Sequence, residues 1–268
     1  MRLCLAQLDC RLGDLEANVR RARETIARAV ALGAELVVFP ELALSGYSLA
    51  GIEGETTTAP AELRAIAGER AALLCFRERY GGGRTFNSAA YLEGGEIIHV
   101  HRKLYLVGYP PFEETALFAP GSAMRAFTTA LGRFAVMICN DAWQPALPAV
   151  AAADGAALLL VPAASSTMVR EAESIWRELT RFYARMLACY VVFVNRVGVE
   201  GELVFWGGSH VVDPSGELVA TAPRLEEALT IADIDLECVD RRRAAIRLPG
   251  ELRPALLRAE LERLNGTS

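Results

Sequence analysis

The sequence predicts a mixed α/β sandwich, and three observations carry the prediction. Strand-like and helix-like segments alternate along nearly the whole chain. No Gly/Ser linker, repeat or low-complexity tract divides them, so residues 1–268 read as a single domain. With 268 residues at 52% hydrophobic and 23% charged, there is enough apolar material to fill more than one layer.

Each element follows from its own pattern. "RLCLAQLD" (2–9) alternates as a strand does. In "GDLEANVRRARETIARAVALG" (13–33), Asp14 is the candidate N-cap and Leu15, Val19, Ala22, Ile26 and Ala29 keep helical spacing. Gly33 is placed to end that helix. "AELVVFPE" (34–41) is a short apolar strand of the kind buried on both faces. A loop runs to about residue 60, followed by a helix near 60–69 and the strand "ALLCFRE". Residues 85–103 read as a hairpin turning at Glu93–Gly94–Gly95–Glu96, and a second hairpin turns near Leu131–Gly132. Next come a helix at about 145–153, the strand "AALLLVPAA", a longer helix at about 168–187 and the strand "YVVFVNRVG". "GSHVVDPSGELVATA" and "ALTIADIDL" read as one strand each, and two short helical stretches close the chain.

Composition narrows the function. A formal charge of −5 argues against a nucleic-acid partner, and no run approaches the roughly 18 apolar residues of a membrane helix. The start "MRLCLAQLDC" lacks the small-residue cleavage site of a signal peptide, which predicts a cytoplasmic protein. Its six scattered cysteines then read as free thiols in a reducing compartment. His99, His101 and His210 do not cluster with cysteines at ligand spacing, so neither a metal nor another cofactor is expected.

Chemistry in α/β folds gathers where strands end. Three apolar runs end abruptly in polar residues: Glu41 after "LVVFP", Lys103 after "IIHVHR" and Cys139 in "AVMICNDAWQP". Singly, each has a plain structural explanation: a surface acid, a solvated lysine, a small core residue. Together they form a complete set. A thiol with a free pKa near ~8.5 is mostly protonated at neutral pH and needs a base. Glu41 is that base if a low-dielectric pocket raises its pKa. Lys103 and the Asn140 N–H can then hold the negative charge that attack on a carbonyl or nitrile carbon creates.

The ordered stretches "ELVVFPELALSGY", "FNSAAYLEGGEIIHVHRKLYL", "FAVMICNDAW", "LLLVPAASS", "YVVFVNRVG" and "GGSHVVDPSGELVA" resemble the nitrilase, or carbon–nitrogen hydrolase, superfamily. The resemblance spans nearly the whole chain. It implies a four-layer α-β-β-α sandwich and a Glu-Lys-Cys triad of Glu41, Lys103 and Cys139, acting through a thioester on a small amide. It also implies a second glutamate near the site, Glu114 or its neighbour Glu113 in "PPFEETALFAPG". Asn140 and "AWQPALP" depart from the commoner family pattern and are closer to the Asp-x-Trp form of glutaminase domains in glutamine-dependent NAD synthetases. Met186 and Leu187 stand where many members carry Glu-Asn. These departures bear on the substrate rather than on the triad.

Tyr47, Tyr109, Phe112, Trp143 and Trp206 are candidate pocket walls, and Arg170 or Arg181 a candidate partner for a substrate carboxylate. Three alternatives stand beside the amidase. These are a nitrile substrate, a binding or regulatory subunit without catalysis, and a papain-like Cys–His site using His101 or His210. The family commonly pairs its sandwiches. Ile175, Leu179, Phe182, Tyr183 and Met186 on one helix, with the amphipathic "LPGELRPALLRAELERL", then predict a homodimer or larger even-numbered assembly.

Overall fold

The computed structural model describes residues 1–49, 52, 56–246 and 248–265. Its first half runs β1 (Arg2–Gln7), α1 (Leu15–Ala31), β2 (Leu36–Val38), α2 (Pro60–Ala67), β3 (Ala71–Arg79), β4 (Thr85–Glu93) and β5 (Glu96–Arg102). A short helix α3 (Glu114–Leu117) leads to β6 (Ala126–Thr129), β7 (Gly132–Val136), α4 (Ala146–Ala153), β8 (Leu158–Ala163) and α5 (Ala172–Leu187). The chain continues through β9 (Tyr190–Asn195), β10 (Val197–Glu200), β11 (Leu203–Trp206), β12 (His210–Val212), β13 (Leu218–Thr221) and β14 (Ala228–Asp233). It ends in α6 (Glu237–Ala245) and α7 (Pro254–Asn265).

Two six-stranded sheets form, ordered β14-β1-β2-β3-β4-β5 and β13-β12-β9-β8-β7-β6, each with a parallel centre and antiparallel edges. Side-chain alternation assigns their faces. Leu3, Leu5, Leu36, Val38, Leu73, Phe134, Val136, Leu158, Leu160 and Val192 meet between the sheets. The intervening Cys4, Ala6, Val37, Ala72 and Leu74 pack under α1 and α2. Ala135, Met137, Leu159, Val161 and Phe193 pack under α4 and α5. A strand of period two, buried on both faces, thus feeds two cores at once. The result is the α-β-β-α sandwich, each fully buried Leu or Val contributing about 1.5–3 kcal/mol.

Several local expectations hold in detail. The Asp14 carboxylate caps α1 by accepting the Ala17 N–H at 3.0 Å, and Gly33 follows that helix at φ +84°. Three differ. β2 stops at Val38, so Glu41 sits in the turn beyond it rather than on the strand. The stretch read as one strand over 208–222 is a hairpin, because Asp213 accepts the N–H groups of Ser215 and Glu217 and folds the chain back between β12 and β13. Helix α5 begins at Ala172 and turns Trp176, Thr180 and Tyr183 inward, leaving Phe182 and Met186 exposed.

Among the described residues, no helix is long and apolar enough to cross a membrane, and no cluster of His, Cys, Asp or Glu is arranged to hold a metal ion. His210 is buried, with Nδ1 on the Gly208 carbonyl and Nε2 on the Thr180 hydroxyl, and burial pushes its pKa down to about 4. The unfolded chain, with a histidine pKa near ~6.5, takes up that proton first. Stability is therefore whole above about pH 6.5 and falls as the pH drops toward 4. Urea unfolding should lose about 2 kcal/mol from this group between pH 7 and 5, and His210→Gln should flatten that part of the slope.

Candidate active site

The turn after β2 carries Glu41 into the interior, and both the residue behind it and the nucleophile candidate lie in the left-handed region. Leu42 has φ +50° and Cys139 φ +46°, a conformation that costs a side-chain-bearing residue on the order of 1–2 kcal/mol. In Cys139 it forms a sharp elbow between β7 and the 139–143 turn, with the side chain opening on a pocket.

Glu41, Lys103 and Glu114 are all buried. Lys103 Nζ donates to Glu41 Oε1 at 2.7 Å and to Glu114 Oε1 at 2.6 Å. Its backbone is tied on both sides, N–H to the Asn87 carbonyl and carbonyl to the Gly121 N–H, where a Cβ on Gly121 would strike the Arg102 carbonyl oxygen at 2.3 Å. Asn87 Nδ2 donates to Glu41 Oε1 at 2.7 Å, so that oxygen is fully occupied. Oε2 accepts the Ala164 N–H at 2.9 Å, and Ala164 lines the same pocket as Cys139. Oε1 holds two donors and Oε2 one, so Oε2 is the oxygen with room to take a proton.

The electrostatics follow from burial. Desolvation raises the Glu41 pKa and only part of the rise is cancelled by Lys103. Burial, then Glu41, pushes the Cys139 thiol well above its ordinary range, with Lys103 opposing. Burial works against the Lys103 ammonium, but Glu114, Glu41 and Cys139 outweigh it and hold its pKa well above the lysine value. Burial thus disfavours the thiolate and strengthens Glu41 as a base, while the surrounding negative groups favour the Lys103 cation.

Glu114 and Glu113 are separated clearly. Glu114 accepts from Lys103, from Tyr47 Oη at 2.5 Å and from the Val107 N–H at 3.0 Å, whereas Glu113 is exposed and lies outside the cluster. A four-residue helix starting at Glu114 turns one side chain in and the other out.

The pocket over Cys139, about 60 Å³, is lined by Tyr47, Val107, Tyr109, Phe112, Asn140, Trp143 and Trp176, with Ala164, Ser165, Ser166 and Val169. Asn140 is anchored by its side chain to the Tyr105 carbonyl. Trp206, expected as a wall, is buried instead, stacked on Phe193. Arg181 lies on the outer face of α5, bonded to the Gly216 carbonyl, and Arg170 is exposed, so neither lines the pocket. Trp176 and Ser165 escaped notice. Ser165 Oγ accepts both indole N–H groups, from Trp176 at 3.0 Å and Trp206 at 3.3 Å, which leaves its hydroxyl proton for a ligand.

His101 and His210 are both engaged elsewhere, His101 with the buried Asp141 carboxylate at 2.8 Å. Asp141 also accepts the N–H groups of Leu104, Tyr105 and Ile138, binding the lysine loop to the cysteine turn.

With this geometry in view, the relatives are consistent. The chain belongs to the carbon-nitrogen hydrolase family, whose profile matches residues 2–244. It is 32% identical over 254 residues to a glutamine-dependent NAD(+) synthetase of Thermotoga maritima, covering 88% of this chain and 42% of that protein. The chain thus spans less than half the length of that relative. Against N-carbamoylputrescine amidase of Arabidopsis thaliana it is 25% identical over 274 residues, covering 92% of this chain and 91% of the other. Among solved structures it resembles a nitrilase-superfamily amidase of Nesterenkonia AN1 (TM-score 0.79, 29% identity, 92% of this chain and 95% of that one). A variant of the Nesterenkonia sp. AN1 amidase carries the acetamide moiety of fluoroacetamide covalently on its active-site cysteine (TM-score 0.83, 27% identity, 97% and 96% coverage).

Proposed function

We propose that this protein hydrolyses a small amide to a carboxylic acid and ammonia or amine through a thioester on Cys139. The observation that carries the proposal is the buried Lys103–Glu41 pair, whose glutamate binds by Oε2 the N–H of Ala164, a residue that lines the same pocket as Cys139. Glu41 Oε2 takes the thiol proton as sulfur attacks the amide carbon, and Lys103 with the Asn140 N–H holds the oxyanion. Glu41 gives the proton to the departing nitrogen. It then takes a proton from water, whose oxygen attacks the thioester and restores the thiol.

Two features favour a short, uncharged acyl group. The pocket is small and mostly apolar, and the Ser165 hydroxyl offers one donor. A carbamoyl compound, a glutamine-like amide and a nitrile are the comparators. The exposed Phe182 and Met186 on α5 support self-association through that helix, giving an even-numbered homo-oligomer.

Glu41→Gln should lower kcat/KM by on the order of 10²-fold or more and accumulate an acyl adduct on Cys139, read by intact-protein mass. In the unaltered protein, kcat/KM should fall as the pH drops through a value above the usual glutamate pKa of ~4.3, because the base is lost on protonation. That acid limb should vanish in the variant. No ammonia from any amide, with no adduct in either protein, sinks the proposal.

A further inference from the structure

A second buried ion pair lies outside the reacting cluster. Arg196 is 0% and Glu200 5% exposed, and Arg196 Nη1 bonds Glu200 Oε1. Buried pairs add little net stability compared with apolar residues of the same volume, so this one calls for another account. Glu200, at the end of β10, spends its remaining acceptor capacity on the backbone next to the site: the N–H of Tyr47 at 3.2 and 3.1 Å and the N–H of Ser48 at 2.8 Å. The approach is close enough that a Cβ on Gly46 would meet Glu200 Oε1 at 2.9 Å and Leu12 Cα at 2.7 Å. Arg196 is itself fixed by the Cys10 carbonyl at 2.9 Å, by Asp9 at 3.5 Å and by the Val197 carbonyl at 3.4 Å. Its guanidinium lies 4.3 Å over the Phe205 ring, and Phe205 meets the Tyr47 ring edge-on at 6.1 Å.

We propose that the Arg196–Glu200 pair is a positioning device that holds Tyr47 by its backbone and ring, so that the Tyr47 hydroxyl fixes Glu114 and, through it, Lys103. The chain of contact is continuous. Glu200 grips the Tyr47 N–H, Tyr47 Oη donates to Glu114 Oε1 at 2.5 Å, and the same oxygen accepts from Lys103 Nζ at 2.6 Å. An oxyanion donor misplaced by about 1 Å can cost 10²-fold, so a rigid support has something to protect. This inference rests on the amide-hydrolase proposal for what Lys103 does.

The test is a double-mutant cycle on kcat with Tyr47→Phe and Glu200→Gln, the fold of each variant checked by thermal unfolding. Glu200→Gln should lower kcat between about tenfold and 10²-fold with KM little changed. In the Tyr47→Phe background it should have no further effect, because the link it supports is already cut. Multiplying losses would overturn the inference, since Glu200 would then act independently of Tyr47. If Glu200→Gln does not fold, Arg196→Lys takes its place in the cycle, keeping the charge but losing the planar fork. If the unaltered protein turns over no amide, the functional proposal fails by itself. The same cycle is then read from the rate of Cys139 alkylation by iodoacetamide, with the same two outcomes.

Discussion

Cys139→Ala should abolish amide turnover, lowering kcat by on the order of 10⁴-fold or more, while the protein stays folded. The size of the loss follows from the site's inventory. Lys103, Glu41 and Glu114 are bound to one another by hydrogen bonds, whereas the Cys139 sulfur opens on the pocket as the nucleophile. The Tyr47 hydroxyl does not replace it, being committed to Glu114 with its pKa raised by burial well above the phenol range. The fold is spared because Cys139 is only partly buried and its contribution is a single sulfur at the rim of two clusters. Ammonia release should vanish, the acyl adduct should be absent, and the unfolding midpoint should move little. Retained turnover in this variant would mean that the elbow at Cys139 serves packing rather than chemistry.

The site was legible in the sequence to the extent that it obeys one rule, that apolar strands deliver polar residues at their ends. Glu41, Lys103 and Cys139 each interrupt an apolar run; the structure joins the first two by a hydrogen bond and opens the third on a pocket also lined by Ala164, which donates to Glu41. Glu114 was narrowed to two neighbours, because a one-residue shift along a helix turns a side chain by about 100° and no local pattern says which faces in. Helix α5 shows the same difficulty. Ile175, Leu179, Phe182 and Met186 make an apolar stripe at helical spacing, and so do Trp176, Thr180, Tyr183 and Ala184 one residue on; the sheet takes the second. Trp206 was misjudged for a related reason: the β10–β11 hairpin was not foreseen, and its pairing of Val197 with Trp206 directs that indole into the core. Polar contacts that join distant segments leave no periodic trace at all. Asn87 on Glu41, Glu200 on Tyr47 and Asp141 on Leu104 are satisfied only once the sandwich has closed.

Asp141→Ala should give the largest loss of stability among single substitutions near the site, about 4 kcal/mol or more by urea unfolding, together with loss of activity. The Asp141 carboxylate is wholly buried and accepts four hydrogen bonds. Oδ1 takes the Leu104 and Tyr105 N–H groups, each at 2.9 Å, and Oδ2 takes Ile138 N–H at 3.1 Å and His101 Nε2 at 2.8 Å. Removing it leaves four donors without their acceptor, the buried Ile138 N–H and His101 Nε2 and the part-buried Leu104 and Tyr105 N–H groups, and each buried one costs about 1–3 kcal/mol when left unpaired. Asp141→Asn is the informative comparison. It keeps the volume and one acceptor oxygen but presents an NH₂ group to two donors, so it should recover part of the stability. Activity should recover less, because the two segments that Asp141 joins carry Lys103 and Cys139, and the spacing between cation and sulfur depends on both ends of the tie. An Asp141→Asn protein as stable and active as the original would show that the backbone alone sets that spacing.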